Sequence, residues 1–282
     1  MSNRKMKLLG VLCSAFLAGC SISGGITTAG SGLDGVTVKL EGPAQRTATT
    51  SGDGSYAFKQ LLSTGTYTVT PSKPAHEMTP PSRQVRINRF FQHVSGVDFS
   101  AKKLDPVVAP VLGNMTATDL QNDGTFDTIN TATPVEARST RVTYLNRYET
   151  KRAVFEFDLS GVSPSVPVRS AILEFTVIGY GNGPGGVQLD FWGYKGDGLL
   201  NLADAVAGDS IVRSIVISST GVKQIDLKDF VQQLVNTGSF IAGLNIRTHN
   251  EAATSSVDEH CYIPGYQATS SLFPGPRLTI DY

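Results

Sequence analysis

The chain has few of the residues that a disulfide-braced or nucleic-acid-binding protein needs. Only three of its 282 residues are cysteine, a single residue is tryptophan, and 24 Lys and Arg are balanced by 24 Asp and Glu. A disulfide framework requires several cysteines that can pair, and nucleic-acid binding usually requires a basic patch or stripe. The composition therefore excludes a disulfide scaffold and argues against a nucleic-acid partner.

Long apolar runs are also missing, because no stretch reaches the roughly 20 residues of a membrane-spanning helix. The one marked run extends from Leu8 to Leu17 and follows Arg4, Lys5 and Lys7. A positive start followed by a short apolar run and small residues is typical of an export signal. We therefore expect the protein to work outside the cytoplasm.

Residues 17–20, Leu-Ala-Gly-Cys, end this segment. They resemble the lipobox of bacterial lipoproteins, which implies that residues 1–19 are a signal peptide and that Cys20 becomes an acylated N-terminus. Several acyl chains give stable anchoring, since each buried methylene contributes about 0.8 kcal/mol. The resemblance predicts a lipid-anchored protein at the bacterial outer membrane or cell surface. The alternative is a secreted protein with a chance cysteine at this position.

Cys261 is then left without a partner, because Cys13 is removed with the signal and Cys20 is acylated. We interpret Cys261 as a small buried apolar residue rather than as a reactive thiol. Removal of the three signal cations leaves the mature chain with a net charge of −3.

Changes in composition divide the mature chain into four segments. Residues 20–32 are rich in Gly, Ser and Thr and predict a flexible tether. Residues 33–101 and 114–282 have the pattern of folded domains, and the proline-containing residues 102–113 between them predict a stiff linker.

Short runs of alternating apolar residues, separated by Gly and Pro, fill residues 33–101. Such period-two spacing predicts an antiparallel β-sandwich with one face of each sheet buried. The runs include Val36, Val38 and Leu40, Tyr56 and Phe58, Tyr67 and Val69, Val85 and Ile87, and Val97 and Phe99.

This segment also resembles the Cna-B and carboxypeptidase-regulatory-like modules, through residues 33–38, 50–58, 65–69 and 96–99. The resemblance implies a small prealbumin-like sandwich that serves as a stalk or spacer. Some Cna-B domains cross-link a Lys to an Asn with the help of a Glu. Lys39 stands at the place of such a Lys, but Pro71 occupies the place of the Glu, so we expect a solvent-facing Lys39 and no cross-link.

Residues 114–282 repeat the strand pattern over a greater length, as in Phe155, Phe157 and Leu159. The exception is Asp226 to Asn236, where apolar residues fall at helical spacing and Gly238 follows. The pattern predicts an all-β fold in which a larger jelly roll with one short helix follows the small sandwich.

The larger segment resembles the DNRLRE-type jelly rolls of bacterial surface proteins, which are related to carbohydrate-binding modules. The resemblance runs through residues 152–159, 169–175, 226–231, 243–247 and 276–282, although residues 257–262 and a longer loop replace the family's Ser- and Glu-rich strand. It implies a non-catalytic role in holding glycans or in building surface structures.

One strand offers a candidate ligand surface. If Val187, Leu189 and Phe191 face the core, the alternate residues face outward, and an aromatic ring beside polar groups suits a sugar. The alternative is a bulge at Gly193 or a one-residue slip of register, which would bury Trp192. The candidates are Gln188, Asp190, Trp192 and Tyr194, with Tyr180 in a nearby loop.

Asp119, Asp123 and Asp127 cluster in one early loop. Carboxylate oxygens on a turn could hold a structural calcium ion, but the spacing does not match an EF-hand. Ordinary turn-forming aspartates are the alternative interpretation, and we expect no other cofactor.

The sequence contains no Gly-x-Ser-x-Gly or His-Glu-x-x-His motif, and it offers one group of residues that could support catalysis, between His249 and Cys261. Neighbours along a strand point to opposite faces, so His260 and Cys261 are not expected to converge. We therefore predict a non-catalytic, lipid-anchored protein that binds polysaccharide or acts as an adhesive head. The alternatives are a structural envelope or matrix component without a soluble ligand and, less favoured, a polysaccharide lyase or hydrolase. The predicted partners are the membrane, through the lipid on Cys20, and a polysaccharide or another surface protein. The residues considered for catalysis are His249, Asn250, Glu251, Asp258, Glu259, His260 and Cys261.

Overall fold

A computed structural model describes residues 19–142, 147–181, 185–208, 210–251, 258–265 and 274–282. The described residues form two compact units, which divide between Lys103 and Leu104. Within the described residues, the regular secondary structure of both units is almost entirely strand, which confirms the all-β prediction.

The small unit has alternating strands that bury one face, as the sequence predicts. Val38 and Leu40 are fully buried, and so are Tyr67 and Val69, whereas the residues between them are more exposed. Its described strands are β1 (Cys20–Thr28), β2 (Ser31–Gly32), β3 (Thr37–Glu41), β4 (Arg46–Thr49), β5 (Ser55–Leu61), β6 (Gly65–Ser72), β7 (His76–Thr79), β8 (Arg83–Ile87), β9 (His93–Val94) and β10 (Phe99–Lys103).

These strands form two sheets around one core. The larger sheet has the order β2-β1-β10-β7, and β5 and β9 also pair with β1. The smaller sheet has the order β4-β3-β6-β8. The buried side chains of both sheets form a single apolar cluster, which is the arrangement of a β-sandwich.

Residues 20–32 do not form the flexible tether that we expected. They contain β1, which pairs with β5 from Cys20 opposite Leu61 onward. Cys20, Ile22 and Ile26 are fully buried, so this Gly- and Ser-rich segment contributes its alternate residues to the core. Gly24 allows the close approach, because a Cβ atom there would lie 2.0 Å from the carbonyl oxygen of Val97.

The predicted linker over residues 102–113 is also mostly strand. Lys102 and Lys103 belong to β10, and Ala109 is buried in a strand that pairs with the end of the chain. Only residues 104–106 and 110 lie outside strands. Because Val107 and Ala109 alternate with an outward-facing Val108, this short apolar stretch forms a strand despite its flanking prolines.

The large unit has two sheets and two described helices. Its strands are β11 (Val107–Ala109), β12 (Val111–Asp119), β13 (Thr128–Asn130), β14 (Val135–Val142), β15 (Arg147–Asp158), β16 (Ser170–Val177), β17 (Gly179–Gly181), β18 (Val187–Lys195), β19 (Ser210–Ile217), β20 (Gly221–Asp226), β21 (Ile241–Thr248), β22 (Glu259–Ile263) and β23 (Arg277–Asp281), and its helices are α1 (Leu202–Val206) and α2 (Lys228–Asn236).

The four-stranded sheet has the order β11-β23-β16-β20. The nine-stranded sheet has the order β17-β22-β14-β15-β21-β18-β19, and β12 and β13 extend it from β15. Phe175 of β16 packs against Phe191 of β18, with ring centroids 5.6 Å apart, so the core lies between the two sheets.

Helix α2 occurs where the sequence predicts it and buries Val231, Leu234 and Val235. Helix α1 was not predicted. It begins at a capping box in which Asn201 accepts a hydrogen bond from the Ala203 N–H and Asp204 accepts one from the Asn201 N–H. Within the part of the chain that the structure describes, neither helix has the length and apolar character needed to cross a membrane.

Candidate ligand-binding surface

Strand β18 has the alternation that the sequence predicts. Val187, Leu189 and Phe191 are fully buried in the core, and Gln188 and Trp192 are half-buried on the opposite face. Tyr194 and Asp190 share that face but are only 8% and 4% exposed. The predicted parity is therefore observed, but Tyr194 and Asp190 do not lie on the open surface that the ligand-site interpretation requires.

Tyr194 is buried because helix α1 and its flanking loop cover this part of the sheet. The ring lies over Gly243, where a Cβ atom would come within 2.2 Å of the Tyr194 Cζ atom. Burial raises the pKa of the Tyr194 hydroxyl, and the nearby carboxylates of Asp204 and Glu156 raise it further. Tyr194 thus belongs to a second small core, which also contains Met115, Ala117, Phe126, Val154 and Ala205.

Asp190 is a buried acceptor that orients its neighbours. Its Oδ1 atom accepts a hydrogen bond from Ser214 Oγ at 2.6 Å, and its Oδ2 atom lies 2.7 Å from His249 Nδ1. Burial acts to raise the pKa of Asp190, but hydrogen bonds from Ser214, His249 and Gln188 outweigh it and lower the pKa. A charged Asp190 therefore holds the exposed ring of His249 at the edge of this face.

Arg247 on the neighbouring strand β21 stacks on Trp192, with its Cζ atom 4.3 Å from the ring centroid. Its Nη2 atom donates to the carbonyl of Ala207 at 3.1 Å, which holds the guanidinium in place. Burial, and then repulsion from the nearby Arg152, lower the pKa of Arg247 to about 10. The guanidinium and the indole ring therefore form one fixed stack.

We use the name Trp192 surface for four residues of this face that are not fully buried, Gln188, Trp192, Arg247 and His249. The register brings them together, since Asp190 pairs with Arg247 and Trp192 pairs with Asn245. Sequence reasoning missed Arg247 and His249 as members. The available signal was the alternation of Asn245 and Arg247 along β21, continued by His249 just after it.

Tyr180 is not brought to this surface. It is half-buried on β17, and its hydroxyl donates to the carbonyl of Ser218 at 2.7 Å. Ser218 follows Ile217, the pairing partner of Val187. Tyr180 therefore lies toward the Val187 end of β18, about 16 Å along the strand from Trp192.

The three aspartates predicted as calcium ligands form a network with backbone N–H groups. Asp119 is buried and accepts hydrogen bonds from the N–H groups of Gln121, Asp123 and Gly124. Asp123 accepts from the Thr125 N–H, and Asp127 accepts from the Leu120 N–H. Among the described residues no group of three His, Cys, Asp or Glu side chains is arranged to hold a metal ion. The geometry therefore favours turn-forming aspartates, and calcium binding stays a prediction.

The residues considered for catalysis separate along β22. Cys261 is fully buried, and burial raises the pKa of its thiol to about 12, so it is a neutral apolar residue as predicted. His260 packs on the Tyr262 ring, and its Nδ1 atom lies 3.3 Å from Asp258 Oδ2. A Cys–His nucleophile would need a thiolate near neutral pH, which this burial opposes.

A network of ion pairs surrounds Asp258, and no pattern in the sequence indicates it. Arg138 of β14 makes a bidentate pair with Asp258, with both distances 2.9 Å. Lys151 of β15 pairs with Glu136 at 3.0 Å and with Glu149 at 3.1 Å. Both of these cations are already paired, so the network is better suited to joining β14, β15 and β22 than to binding an anionic ligand.

In the small unit, Lys39 is solvent-facing as predicted. Its side chain is 60% exposed and pairs with Glu41 at 2.7 Å. Cys20 is fully buried at the start of β1, and its Sγ atom lies 3.5 Å from the carbonyl oxygen of Arg89.

One family model matches the small unit. The family model described as "BOS complex subunit NOMO1-like, second beta sandwich domain" matches residues 17–96, which agrees with the sandwich found there. No curated protein matches the chain.

Similarity to solved structures is low. The major pilin SpaA of Corynebacterium diphtheriae is 10% identical with a TM-score of 0.27, covering 86% of this chain and 58% of the pilin. The major pilin BcpA of Bacillus cereus is 8% identical with a TM-score of 0.27, covering 89% of this chain and 61% of the pilin. A DUF3823 family protein from Parabacteroides merdae is 10% identical with a TM-score of 0.23, covering 88% of this chain and 96% of that protein. The chain thus spans about three fifths of the pilins it matches.

Proposed function

We propose that the protein is a lipid-anchored, non-catalytic β-sandwich protein of the bacterial surface, whose large unit binds a polysaccharide at the Trp192 surface. The observation that carries the proposal is the stack of Arg247 on the half-buried Trp192 ring, with a distance of 4.3 Å. A sugar needs an apolar plane for its C–H face and polar groups for its hydroxyls.

The Trp192 surface supplies both kinds of group. The indole ring is the apolar plane, and Gln188, Arg247 and His249 offer hydrogen-bonding groups around it. Arg247 and Asp190 fix the ring and the imidazole before any ligand arrives. Preorganised side chains lose less conformational entropy on binding, which favours affinity.

Substitution of Trp192 tests this proposal. We expect the mature chain to bind at least one polysaccharide on a glycan array, and Trp192→Ala to weaken that binding by about tenfold or more, as loss of one stacking contact in a small site would. Phe240→Ala is the matched control, because Phe240 is 42% exposed in the same unit but outside the Trp192 surface.

The proposal fails if wild-type protein binds no glycan, or if Trp192→Ala binds as tightly as Phe240→Ala. Far-UV circular dichroism and the thermal midpoint establish that each variant is folded. Titration calorimetry with the glycan that binds most strongly on the array then measures the affinity of the wild type and of each variant.

The lipid anchor is supported by the cationic start, the apolar run Leu8 to Leu17 and the Leu-Ala-Gly-Cys sequence. The buried position of Cys20 implies that acylation would draw the first residues of β1 out of the sheet, since the sulfur lies against Arg89. Mass spectrometry of protein from a bacterial host should show an acylated Cys20 as the first residue. An unmodified chain that retains residues 1–19 would contradict the anchor.

Strand β19 favours the structural alternative. It ends the strand order β17-β22-β14-β15-β21-β18-β19 of the nine-stranded sheet. Its residues Ile211 and Val216 are 43% and 58% exposed. An unpaired strand edge with apolar residues can accept a strand from another protein. If this alternative holds, pull-downs recover oligomers or a surface protein and glycan arrays show no binding.

A further inference from the structure

One end of the small unit gathers the start of β1 and a loop that follows β8. Cys20 pairs with Leu61, and Leu62 comes next in the chain. The Ser21 N–H donates to the carbonyl of Gln92 at 3.1 Å, and Cys20 Sγ lies 3.5 Å from the carbonyl of Arg89. We call this end, formed by Cys20, Leu62 and residues 88–92, the Cys20 end.

The Cys20 end is the apolar end of the small unit. Leu62, Phe90 and Phe91 are 61%, 64% and 63% exposed, and they are the large apolar side chains that the described part of this unit exposes. Phe91 adopts a φ of +60°, which is rare for an aromatic residue. The loop is fixed by a hydrogen bond of 2.8 Å from the Asn88 N–H to Gln92 Oε1. Two adjacent phenylalanines are thus held outward rather than folded onto the core.

Cations surround these apolar side chains. Arg89 lies in the loop, Arg86 precedes the last residue of β8, and Arg46 donates to the carbonyls of Lys59 and Gln60 at 2.9 and 3.2 Å. Glu41, at the end of β3, lies opposite Thr68 of β6, and its carboxylate is paired with Lys39. Asp34 and Asp53 lie toward the opposite end, beside the starts of β3 and β5. The Cys20 end is therefore positively charged as well as apolar.

The charge of the whole chain follows the same division. Residues 19–103 contain nine Lys and Arg against five Asp and Glu, a net charge of +4, whereas residues 104–282 contain 12 against 19, a net charge of −7. A basic, aromatic surface matches the interface of an anionic bilayer, where cations meet headgroups and apolar rings enter the boundary with the acyl chains.

The position of Cys20 identifies the occupant of this surface. The apolar run Leu8 to Leu17 ends three residues before it, and the proposed acyl chains would be attached to it. The acyl chains would bring a bilayer next to this end of the sandwich. We propose that the Cys20 end docks on an anionic membrane surface, with Leu62, Phe90 and Phe91 in the interface and Arg46, Lys59, Arg86 and Arg89 at the headgroups. The inference extends the proposed lipid anchor but does not require acylation.

Sedimentation with vesicles tests the docking without the lipid. The probe is the mature chain with Cys20→Ser, which cannot be acylated. We expect it to bind vesicles that contain roughly a third phosphatidylglycerol in phosphatidylcholine, to bind pure phosphatidylcholine at least about tenfold more weakly, and to dissociate as salt is raised.

Two paired substitutions identify the surface. Adding Phe90→Ser with Phe91→Ser, or Arg86→Gln with Arg89→Gln, should each weaken binding about tenfold. The control for the phenylalanine pair is Leu199→Ser with Val222→Ser. It also replaces two exposed apolar residues, which are 72% and 54% exposed, but they lie in the large unit. The charge control is Lys102→Gln with Lys103→Gln, which removes the same charge from the other end of the small unit. Both controls should bind as the parent does.

The inference is overturned if the parent does not bind anionic vesicles. It is also overturned if either control pair weakens binding as much as the phenylalanine or arginine pair with which it is compared. The substituted side chains are exposed, so the thermal midpoint should not change, and an unchanged midpoint shows that lost binding does not reflect unfolding. Failure of acylation or of glycan binding leaves this result unaffected, because the probe lacks the acylated sulfur and the test contains no polysaccharide.

Discussion

Two buried carboxylates interact in one covered site, Glu156 on β15 and Asp204 on helix α1. Glu156 is fully buried and accepts hydrogen bonds from the N–H groups of Gly198 at 2.9 Å and Asp197 at 3.3 Å. Burial, and then the charge of Asp204, raise the pKa of Glu156, and burial also raises the pKa of Asp204. The folded state therefore holds protons here more tightly than the unfolded chain does.

This difference predicts a pH-dependent stability that Glu156→Gln reduces. For a carboxyl group with a raised pKa, the stabilising contribution is fully present below its unfolded pKa and is lost as the pH rises through the folded value. The free energy of unfolding of the wild type, taken relative to that of Glu156→Gln, should therefore decrease as the pH rises through this range. Urea titrations at pH values from below the ordinary glutamate pKa to neutrality measure both slopes.

Glu174→Gln is the control for this experiment. Glu174 lies on β16, where it accepts a hydrogen bond from Gln224 at 2.9 Å in an exposed setting. Its removal changes the net charge as much as that of Glu156 does but leaves the covered site intact. Equal slopes in the wild type and in Glu156→Gln would show that Glu156 does not bind its proton more tightly in the folded state.

Among the strands and helices, the sequence predicted those whose own residues show the apolar spacing of a strand or a helix. The alternation of Tyr67 with Val69 and of Phe155 with Phe157 predicted buried strands, and the helical spacing behind Asp226 predicted α2. Strand β1 was not predicted, because its Gly and Ser content concealed three buried residues. It becomes a strand by pairing with β5 and β10, which come much later in the chain.

The candidate site was predicted in part for a similar reason. Parity along β18 correctly placed Gln188 and Trp192 opposite the core. It could not show that α1 covers Tyr194, since that contact depends on how a later segment folds back over the sheet. The capping box Asn201 to Asp204 was the one local sign of that helix. Arg247 and His249 come from β21 and the residue after it, so their membership depends on a strand pairing that one sequence does not reveal.

Substitution of Gly24 tests whether β1 is part of the sandwich. A Cβ atom at Gly24 would lie 2.0 Å from the backbone oxygen of Val97, so Gly24→Ala should force β1 and residue 97 apart. We expect the free energy of unfolding to fall by roughly 1–3 kcal/mol, the usual cost of overpacking. Chemical denaturation of the mature chain measures the change.

Gly52→Ala is the matched control, because Gly52 lies in an exposed turn where an added methyl group would have no atom within 4 Å. Its effect should stay within about 0.5 kcal/mol. A flexible tether would make the two substitutions equally harmless, and that outcome would contradict the strand.

For the whole molecule, an overall charge balance conceals two oppositely charged units. The 24 cations and 24 anions of the chain suggest a neutral protein, but residues 19–103 carry +4 and residues 104–282 carry −7. Each unit also has its own sheets and its own core. The two units therefore differ in the surfaces that they suit, a basic one for an anionic bilayer and an acidic one that carries the Trp192 surface.

The short connection between the units predicts where a protease cuts first. Residues 104–106 lie outside strands, and Lys102 and Lys103 pair with β7 at the end of β10, beyond its pairing with β1. Exposed, weakly held segments between compact units are preferred cleavage sites. Limited trypsin digestion of the mature chain should therefore give two persistent fragments, divided after Lys102 or Lys103 and identified by mass spectrometry. Lys102→Gln with Lys103→Gln should slow this first cut, and a first cut inside either unit would show that the connection is not the weakest point.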